Sequence, residues 1–92
     1  MKVLVLYRPN SEYARSIEEF VHDLQTRHGI DERHLEVLDY DSREGAAMAS
    51  LYDVMTHPAI LVIANDGGYV KSWDGRSLPL LDEVAGYTFS YQ

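Results

Sequence analysis

Cysteine is absent from this sequence, and its absence excludes a defined set of chemistries. No disulfide framework can form, and no thiolate is available to attack a disulfide or to bind zinc. A serine hydroxyl cannot replace the thiolate, because its proton is lost far less readily and it forms no mixed disulfide. The sequence therefore excludes redox catalysis by its own thiols, although it gives no information on the redox state of the compartment.

Positive charge is also scarce in this chain. Eight Lys and Arg residues stand against fifteen Asp and Glu residues, which gives a net charge of −7. Nucleic-acid binding depends on clusters of Lys and Arg that neutralise phosphates, and the sequence contains no such cluster. The acidic residues are spread along the chain, a distribution typical of a solvated surface. We therefore expect no nucleic-acid partner.

Long apolar runs are missing as well. No stretch is long enough to cross a bilayer, and the residues after Met1 lack the basic and apolar segments of a signal peptide. These absences predict a cytoplasmic protein without a membrane partner. The length of 92 residues and the hydrophobic fraction of 46% predict one globular domain spanning residues 1–92.

The four histidines do not follow a metal-binding pattern. His22, His28, His34 and His57 are six, six and twenty-three residues apart, so no two of them lie on adjacent turns of one helix face. Zinc normally requires three or four convergent ligands, and this chain has no cysteine to contribute. The sequence therefore predicts neither a metal site nor a cofactor.

The first helix is predicted from apolar periodicity. Apolar residues recur every three or four positions over about residues 11–28. Asn10 or Ser11 is the expected N-cap, because a short polar side chain can accept a hydrogen bond from the first helical N–H groups. Gly29 is the expected C′ residue, since glycine adopts the left-handed conformation at a helix end without strain.

A second helix is predicted after Ser42, its expected N-cap, and must end before Pro58, because the residue before a proline is pushed out of helical geometry. Its buried stripe is predicted to consist of Ala47, Met48, Leu51, Val54 and Met55. A third helix is predicted from Ser77 to Gly86, with Val84 on its buried side. The alternating segment Tyr87–Gln92 fits either a terminal tail or a further strand.

Four segments have the composition of strands, namely residues 2–7, 35–41, 60–64 and 69–73. The first and third are continuously apolar, which is typical of central strands covered on both faces. The helix between the first two segments makes them parallel, whereas the turn Asn65–Gly68 makes the last two antiparallel. The sequence predicts an α/β fold of order β-α-β-α-β-β-α, with a four-stranded mixed sheet and helices on both faces.

The proline at the start of the third strand carries a family resemblance. The second half of the chain resembles that of the thioredoxin and glutaredoxin superfamily in the order of its elements. This order is a helix, the dipeptide His57-Pro58, a buried strand, a glycine hairpin and a last strand. The first half resembles it too, with Ser11-Glu12-Tyr13-Ala14 at the position where redox-active relatives carry Cys-x-x-Cys. The resemblance implies a thioredoxin-like fold and a cis peptide bond before Pro58.

The resemblance also implies a ligand groove. In relatives, the residue before the cis-proline offers backbone hydrogen-bonding groups to an extended peptide or to glutathione. The corresponding groove residues are Thr56, His57 and Pro58 together with Asp74 and Gly75, and the same edge is expected to carry Tyr7, Arg8, Ser11, Tyr13 and Arg43. Here Arg8 and Arg43 are expected to favour an acidic group on the ligand.

Several functions are compatible with such a groove. The first is a binding module without catalysis that holds a peptide or protein segment. A glutathione-binding or thiol-independent transferase would use the same groove, and a third alternative is a structural or oligomerisation module. A hydrolytic pair of Ser11 and His57 is also conceivable, although a role of Ser11 as a helix cap is the simpler interpretation.

A second resemblance points toward partner binding. The segment Tyr7-Arg8-Pro9-Asn10-Ser11, followed by an alanine-bearing helix, is similar to the opening of the KaiB family of circadian clock proteins. Members of that family lack the redox cysteines and bind partner proteins. The second half of the chain, from Asn65 to Gly75, follows the thioredoxin pattern instead.

Overall fold

The computed structural model describes residues 1–31, 33–74 and 84. These residues form four strands and two helices, in the order β1 (Lys2–Tyr7), α1 (Ala14–Arg27), β2 (Leu35–Asp39), α2 (Arg43–Leu51), β3 (Ala59–Ile63) and β4 (Tyr69–Asp74). The predicted third helix and the segment Tyr87–Gln92 lie outside the described residues, apart from Val84, which is fully buried as predicted. Neither described helix is long and apolar enough to cross a membrane.

The four strands form one mixed sheet in the order β2-β1-β3-β4. The central strand β1 runs parallel to β2 and antiparallel to β3, and β3 runs antiparallel to β4. Both central strands are buried along almost their whole length, as their continuous apolar sequences predict. A strand covered on both faces has no solvent side and therefore needs no polar alternation.

Each face of the sheet carries its own hydrophobic core. Val3, Val5 and Ile60 pack with residues of α1 on one face, whereas Leu4 and Leu61 pack toward α2 on the other. Successive side chains of a strand point to opposite faces, so one apolar strand supplies both cores. The predicted four-stranded mixed sheet with helices on both faces is confirmed by this arrangement.

Helix α1 begins later than the sequence pattern predicts. Its first residue is Ala14, and Tyr13 occupies the N-cap position without a capping side-chain hydrogen bond. Ser11 instead takes part in a turn, because its hydroxyl donates to the Arg8 carbonyl at 2.5 Å and its own carbonyl accepts from the Ala14 N–H at 3.3 Å. The predicted cap at Asn10 or Ser11 was therefore wrong, whereas Gly29 has the expected left-handed conformation, with φ of 65°.

Helix α2 begins as predicted and ends early. The Ser42 hydroxyl caps it by accepting from the Gly45 N–H at 2.9 Å. At the other end, the Val54 N–H donates to the Ala49 carbonyl at 2.7 Å, and Asp53 adopts a left-handed φ of 56°. Together these features form the hydrogen-bonded helix ending in which the C′ residue is usually glycine.

The early end and the rotation of α2 overturn part of its predicted buried stripe. Ala49 is buried, and Met48 and Val54 are half-buried, but three predicted members are exposed: Ala47, Leu51 (67% exposed) and Met55 (82% exposed). The helix approaches the sheet through Gly45 and Ala49, which lie one turn apart on the same face. With two small residues at the contact, Leu51 and Met55 lie on the solvent side, while Met48 and Val54 pack against the margin of the core.

Candidate functional site

The candidate site lies at the edge of the sheet where β1 and β2 end together. Tyr7 and Asp39 are paired at the last position of the parallel ladder, and the Tyr40 N–H donates to the Tyr7 carbonyl at 2.8 Å. The segment that leads into β3 reaches the same edge, with a cis peptide bond between His57 and Pro58. Pro58 is buried and His57 is half-buried.

His57 contacts two tyrosines, and we call Tyr13, Tyr40 and His57 the aromatic cluster. The Tyr13 hydroxyl lies 2.6 Å from Nδ1 of His57, with the two ring centroids 5.9 Å apart. The ring of Tyr40 approaches from a second direction, with its centroid 5.0 Å from that of His57 and an angle of 56° between the planes. Tilted aromatic pairs at these distances stabilise a fold beyond the area that they bury.

Further hydrogen bonds hold the aromatic cluster in place. The Arg8 N–H donates to the Tyr13 hydroxyl oxygen at 3.3 Å, and the Tyr40 hydroxyl donates to the Val54 carbonyl at 3.3 Å. The cluster thereby joins the loop after β1 and the residue after β2 to the segment before β3. Sequence reasoning placed Tyr13 and His57 at this edge but missed Tyr40, whose position directly after a parallel strand was the available signal.

Ser11 and His57 are engaged with other residues. The Ser11 hydroxyl donates to the Arg8 carbonyl, while Nδ1 of His57 faces the Tyr13 hydroxyl. A nucleophilic serine needs its base within hydrogen-bonding distance and correctly oriented. The geometry of the described residues therefore gives a hydrolytic Ser11–His57 pair no support.

Arg8 is held by two contacts that the sequence does not reveal. Its Nε lies 2.9 Å from Oδ2 of Asp41, an ionic contact without hydrogen-bond geometry, and its guanidinium lies over the Tyr40 ring at 5.7 Å from the centroid. Arg43, the first residue of α2, is exposed at the same edge. Arg8 is thus already paired with the carboxylate of Asp41 in the absence of a ligand.

The remaining predicted groove residues have different surroundings. Tyr7 packs against the core on the α1 side, and its hydroxyl donates to Oε2 of Glu18 at 3.0 Å. Burial raises the pKa of Tyr7, and the hydrogen bond to Glu18 raises it further. Thr56 is exposed, and Asp74 ends β4 opposite Ala59, whereas Gly75 lies outside the described residues.

Acidic and imidazole groups do not converge on a common point. Among the described residues, no three His, Asp or Glu side chains form a group that could hold a metal ion. The polar cavity nearest the loop after β1 measures about 290 Å³ and is lined by Arg8, Pro9, Asn10, Ser11, Asp39 and Asp41. Its lining combines one cation with two carboxylates.

Tyr13→Phe is expected to lower the free energy of unfolding by about 1 kcal/mol, because it removes the acceptor of the Arg8 N–H and the partner of His57 Nδ1 from a partly buried site. Urea denaturation measures the change. Tyr69→Phe is the matched control, since its hydroxyl contacts Ser72 on the exposed part of β4. Equal stability of the two variants would contradict a structural role for the Tyr13 hydroxyl.

Comparison with known proteins gives a likeness in structure. No protein-family model and no curated protein sequence matches the chain. Among solved structures, the chain is similar to thioredoxin 1 from the thermophilic eubacterium Thermosipho africanus TCF52B, with a TM-score of 0.68 at 18% sequence identity. The match covers 99% of this chain and 93% of that thioredoxin. The strand order, the two opposed helices and this match together establish that the cysteine-free chain has a thioredoxin-like fold.

Proposed function

We propose that this protein is a non-redox binding module that holds an extended peptide or protein segment along Thr56, His57 and Pro58. The observation that carries the proposal is the backbone of this segment. In the described part of the chain, neither the N–H nor the C=O of Thr56 or His57 hydrogen-bonds to another backbone group. Because Thr56 is exposed, a bound segment can reach these groups and pair with them as an added strand does.

The surroundings of Thr56 also suit an added strand. Thr56 is exposed, while Pro58 is buried and His57 is held by the aromatic cluster. The open backbone groups therefore sit on a rigid support, and a preorganised edge loses less conformational entropy when a segment binds. A shallow edge on a small domain buries little area, so we expect dissociation constants in the micromolar range, equivalent to about 8 kcal/mol.

The footprint of a bound peptide tests this function. A capped octapeptide rich in Val and Thr, titrated into isotope-labelled protein, is expected to shift the amide signals of Thr56, His57 and Asp74. Thr56→Pro removes one amide donor from the edge and is expected to weaken binding about tenfold, whereas Thr56→Ala keeps the donor and is expected to bind like the wild type. Denaturation of both variants checks that the fold is retained.

Two outcomes would change the proposed function. A footprint confined to α2, with the signals of Ser11, His57 and Asp74 silent, would remove the groove and leave the fold as a scaffold for another surface. Micromolar binding of glutathione at the Thr56 and His57 amides, without peptide binding, would favour the transferase alternative instead.

A further inference from the structure

An apolar surface adjoins the proposed strand-binding edge. After α2 ends, the chain exposes Met55 immediately before Thr56, and Leu51 is exposed in the last turn of the helix. Single exposed apolar residues are common on protein surfaces, whereas a contiguous apolar patch is typical of a partner site. Met55 borders a cavity, so the surface continues from the edge onto the side of α2.

The lining of this cavity combines apolar residues with two carboxylates. The cavity is an open depression of about 500 Å³, lined on its uncharged part by Tyr40, Ala46, Ala49, Ser50, Val54 and Met55. Asp41 and Asp53 are the charged residues among its described lining. The apolar lining can contact an apolar side chain of a ligand, and the two carboxylates can pair with a basic side chain next to it.

We propose that this cavity receives an apolar side chain of the bound segment, and that Asp41 and Asp53 select a lysine or arginine beside it. The inference rests on the proposed function, because Met55, which borders the cavity, directly precedes Thr56 in the chain. It reverses the expectation from sequence that Arg8 and Arg43 favour an acidic ligand group.

The state of the two carboxylates supports a basic ligand. Asp41 already contacts Arg8, but its side chain is 60% exposed, and an exposed ion pair contributes only about 0–1 kcal/mol. An incoming cation can therefore displace Arg8 from this carboxylate at a cost of about 0–1 kcal/mol. Asp53 is exposed and forms no ion pair within the described part of the chain.

The overall charge argues against the other occupants of this surface. A net charge of −7 disfavours both a second copy of the chain and an acidic segment, since like charges repel at close approach. A basic and apolar segment meets neither obstacle. Its charge also speeds association, because an acidic surface steers a positively charged partner toward it.

Three capped octapeptides test the inference. They share Val- and Thr-rich flanks and differ only in two central residues, which are Leu-Lys, Leu-Glu or Ser-Lys. The Leu-Lys peptide is expected to bind about fivefold more tightly than either of the others at low salt, and its advantage over Leu-Glu is expected to shrink at high salt. Amide shifts of the labelled wild-type protein give both the affinities and the footprints.

A matched pair of variants assigns the selectivity to the cavity. Asp53→Asn is expected to weaken the Leu-Lys peptide about threefold while leaving the Leu-Glu peptide nearly unchanged. Asp66→Asn makes the same change of charge in the hairpin between β3 and β4, where the side chain accepts from the Gly68 N–H, and it is expected to leave the preference intact.

The outcomes separate this inference from the proposed function. Equal affinities for the three peptides, with shifts at Thr56 and His57, would overturn the basic and apolar preference and leave the strand-binding edge in place. Amide shifts at Ala46 and Met55 alone would overturn the proposed strand binding at Thr56 and His57. They would also overturn the inference that one bound segment contacts both the edge and the cavity. A dimer detected by sedimentation, with Met55 buried in its interface, would show that a second copy of the chain occupies the cavity. That result would overturn the inference.

Discussion

Gly45→Ala is expected to lower the free energy of unfolding by about 3 kcal/mol, the upper range for adding a methyl group to a tightly packed site. A Cβ at this position would lie 1.9 Å from the carbonyl oxygen of Asp39 and 2.8 Å from its carbonyl carbon. Both atoms belong to the backbone, so no side-chain rotation can relieve the contact. Either α2 or the end of β2 must move.

The sign of the change in the free energy of unfolding distinguishes an effect of the close contact from an effect of helix propensity. Alanine is the better helix former by about 1 kcal/mol, so propensity alone predicts that Gly45→Ala stabilises the protein. Ala47→Gly, at an exposed position of the same helix, measures the propensity term without the contact and is expected to cost about 1 kcal/mol. Urea denaturation followed by far-UV circular dichroism compares the variants. A stabilised Gly45→Ala variant would contradict the close approach.

The same substitution is expected to disturb the candidate site. Asp39 directly precedes Tyr40, whose N–H binds the Tyr7 carbonyl and whose ring contacts His57. A displaced Asp39 carbonyl therefore changes the position of Tyr40 in the aromatic cluster. Ring-proton signals of His57 are expected to shift in Gly45→Ala and to stay in place in Ala47→Gly.

The sequence was most informative where local patterns and burial agree. The apolar runs of β1 and β3 identify central strands because the side chains within these runs are buried on both faces of the sheet. Ser42 identifies a helix start because its hydroxyl accepts a hydrogen bond from the Gly45 N–H. Ser11 likewise donates its hydroxyl to the carbonyl three residues back, as Ser42 does to Asp39, yet α1 begins only at Ala14. The residue type alone therefore does not locate the helix start, because the turn that holds Ser11 precedes the helix.

The orientation of α2 depended on information that no local pattern contains. Its rotation follows from the approach of Gly45 to the Asp39 carbonyl, a contact between two elements. Its end follows from an aspartate in the left-handed conformation, where the sequence signal is normally glycine. Sequence periodicity therefore extended the helix toward Pro58 and assigned Leu51 and Met55 to the core.

The position of the candidate site could be predicted from the sequence, but the contacts between its side chains could not. Topology brings Tyr13 and His57 to one edge, as the resemblance implies, but their hydrogen bond and the approach of Tyr40 arise from the packing of three separate segments. The pairing of Arg8 with Asp41 is equally non-local in origin, because it depends on where β1 and β2 end relative to each other. Such contacts change the expected chemistry of a ligand without changing the predicted fold.

Paired substitution of Ser11→Cys and Ala14→Cys is expected to give the protein a redox-active dithiol. The Ala14 N–H donates to the Ser11 carbonyl at 3.3 Å, so these residues form the ends of one turn. Turn ends lie within about 7 Å of each other, near the separation that a disulfide spans. Because Ala14 is the first residue of α1, the helix dipole is expected to favour the thiolate there.

Reduction of insulin in the presence of dithiothreitol measures the gain. The double variant is expected to accelerate it, whereas the wild-type protein, which can form no thiolate, and the single Ser11→Cys variant, which can close no intramolecular disulfide, are expected not to. Acceleration by the wild type would contradict a non-redox function. A double variant that forms only disulfides between molecules would show that the first loop does not bring positions 11 and 14 together.

The single Ser11→Cys variant also links the former redox position to the proposed groove. A peptide that lies along Thr56 and His57 and carries one cysteine as a disulfide with thionitrobenzoate is attacked by the thiolate introduced by Ser11→Cys, which forms the mixed disulfide and releases thionitrobenzoate. This exchange is expected to be faster than with Ser50→Cys, on the exposed side of α2, because binding at the edge raises the effective concentration of the peptide disulfide only near that edge. Equal rates at the two positions would separate Ser11 from the groove, and the thioredoxin-like geometry of the edge would then have no bearing on how this protein binds its partner.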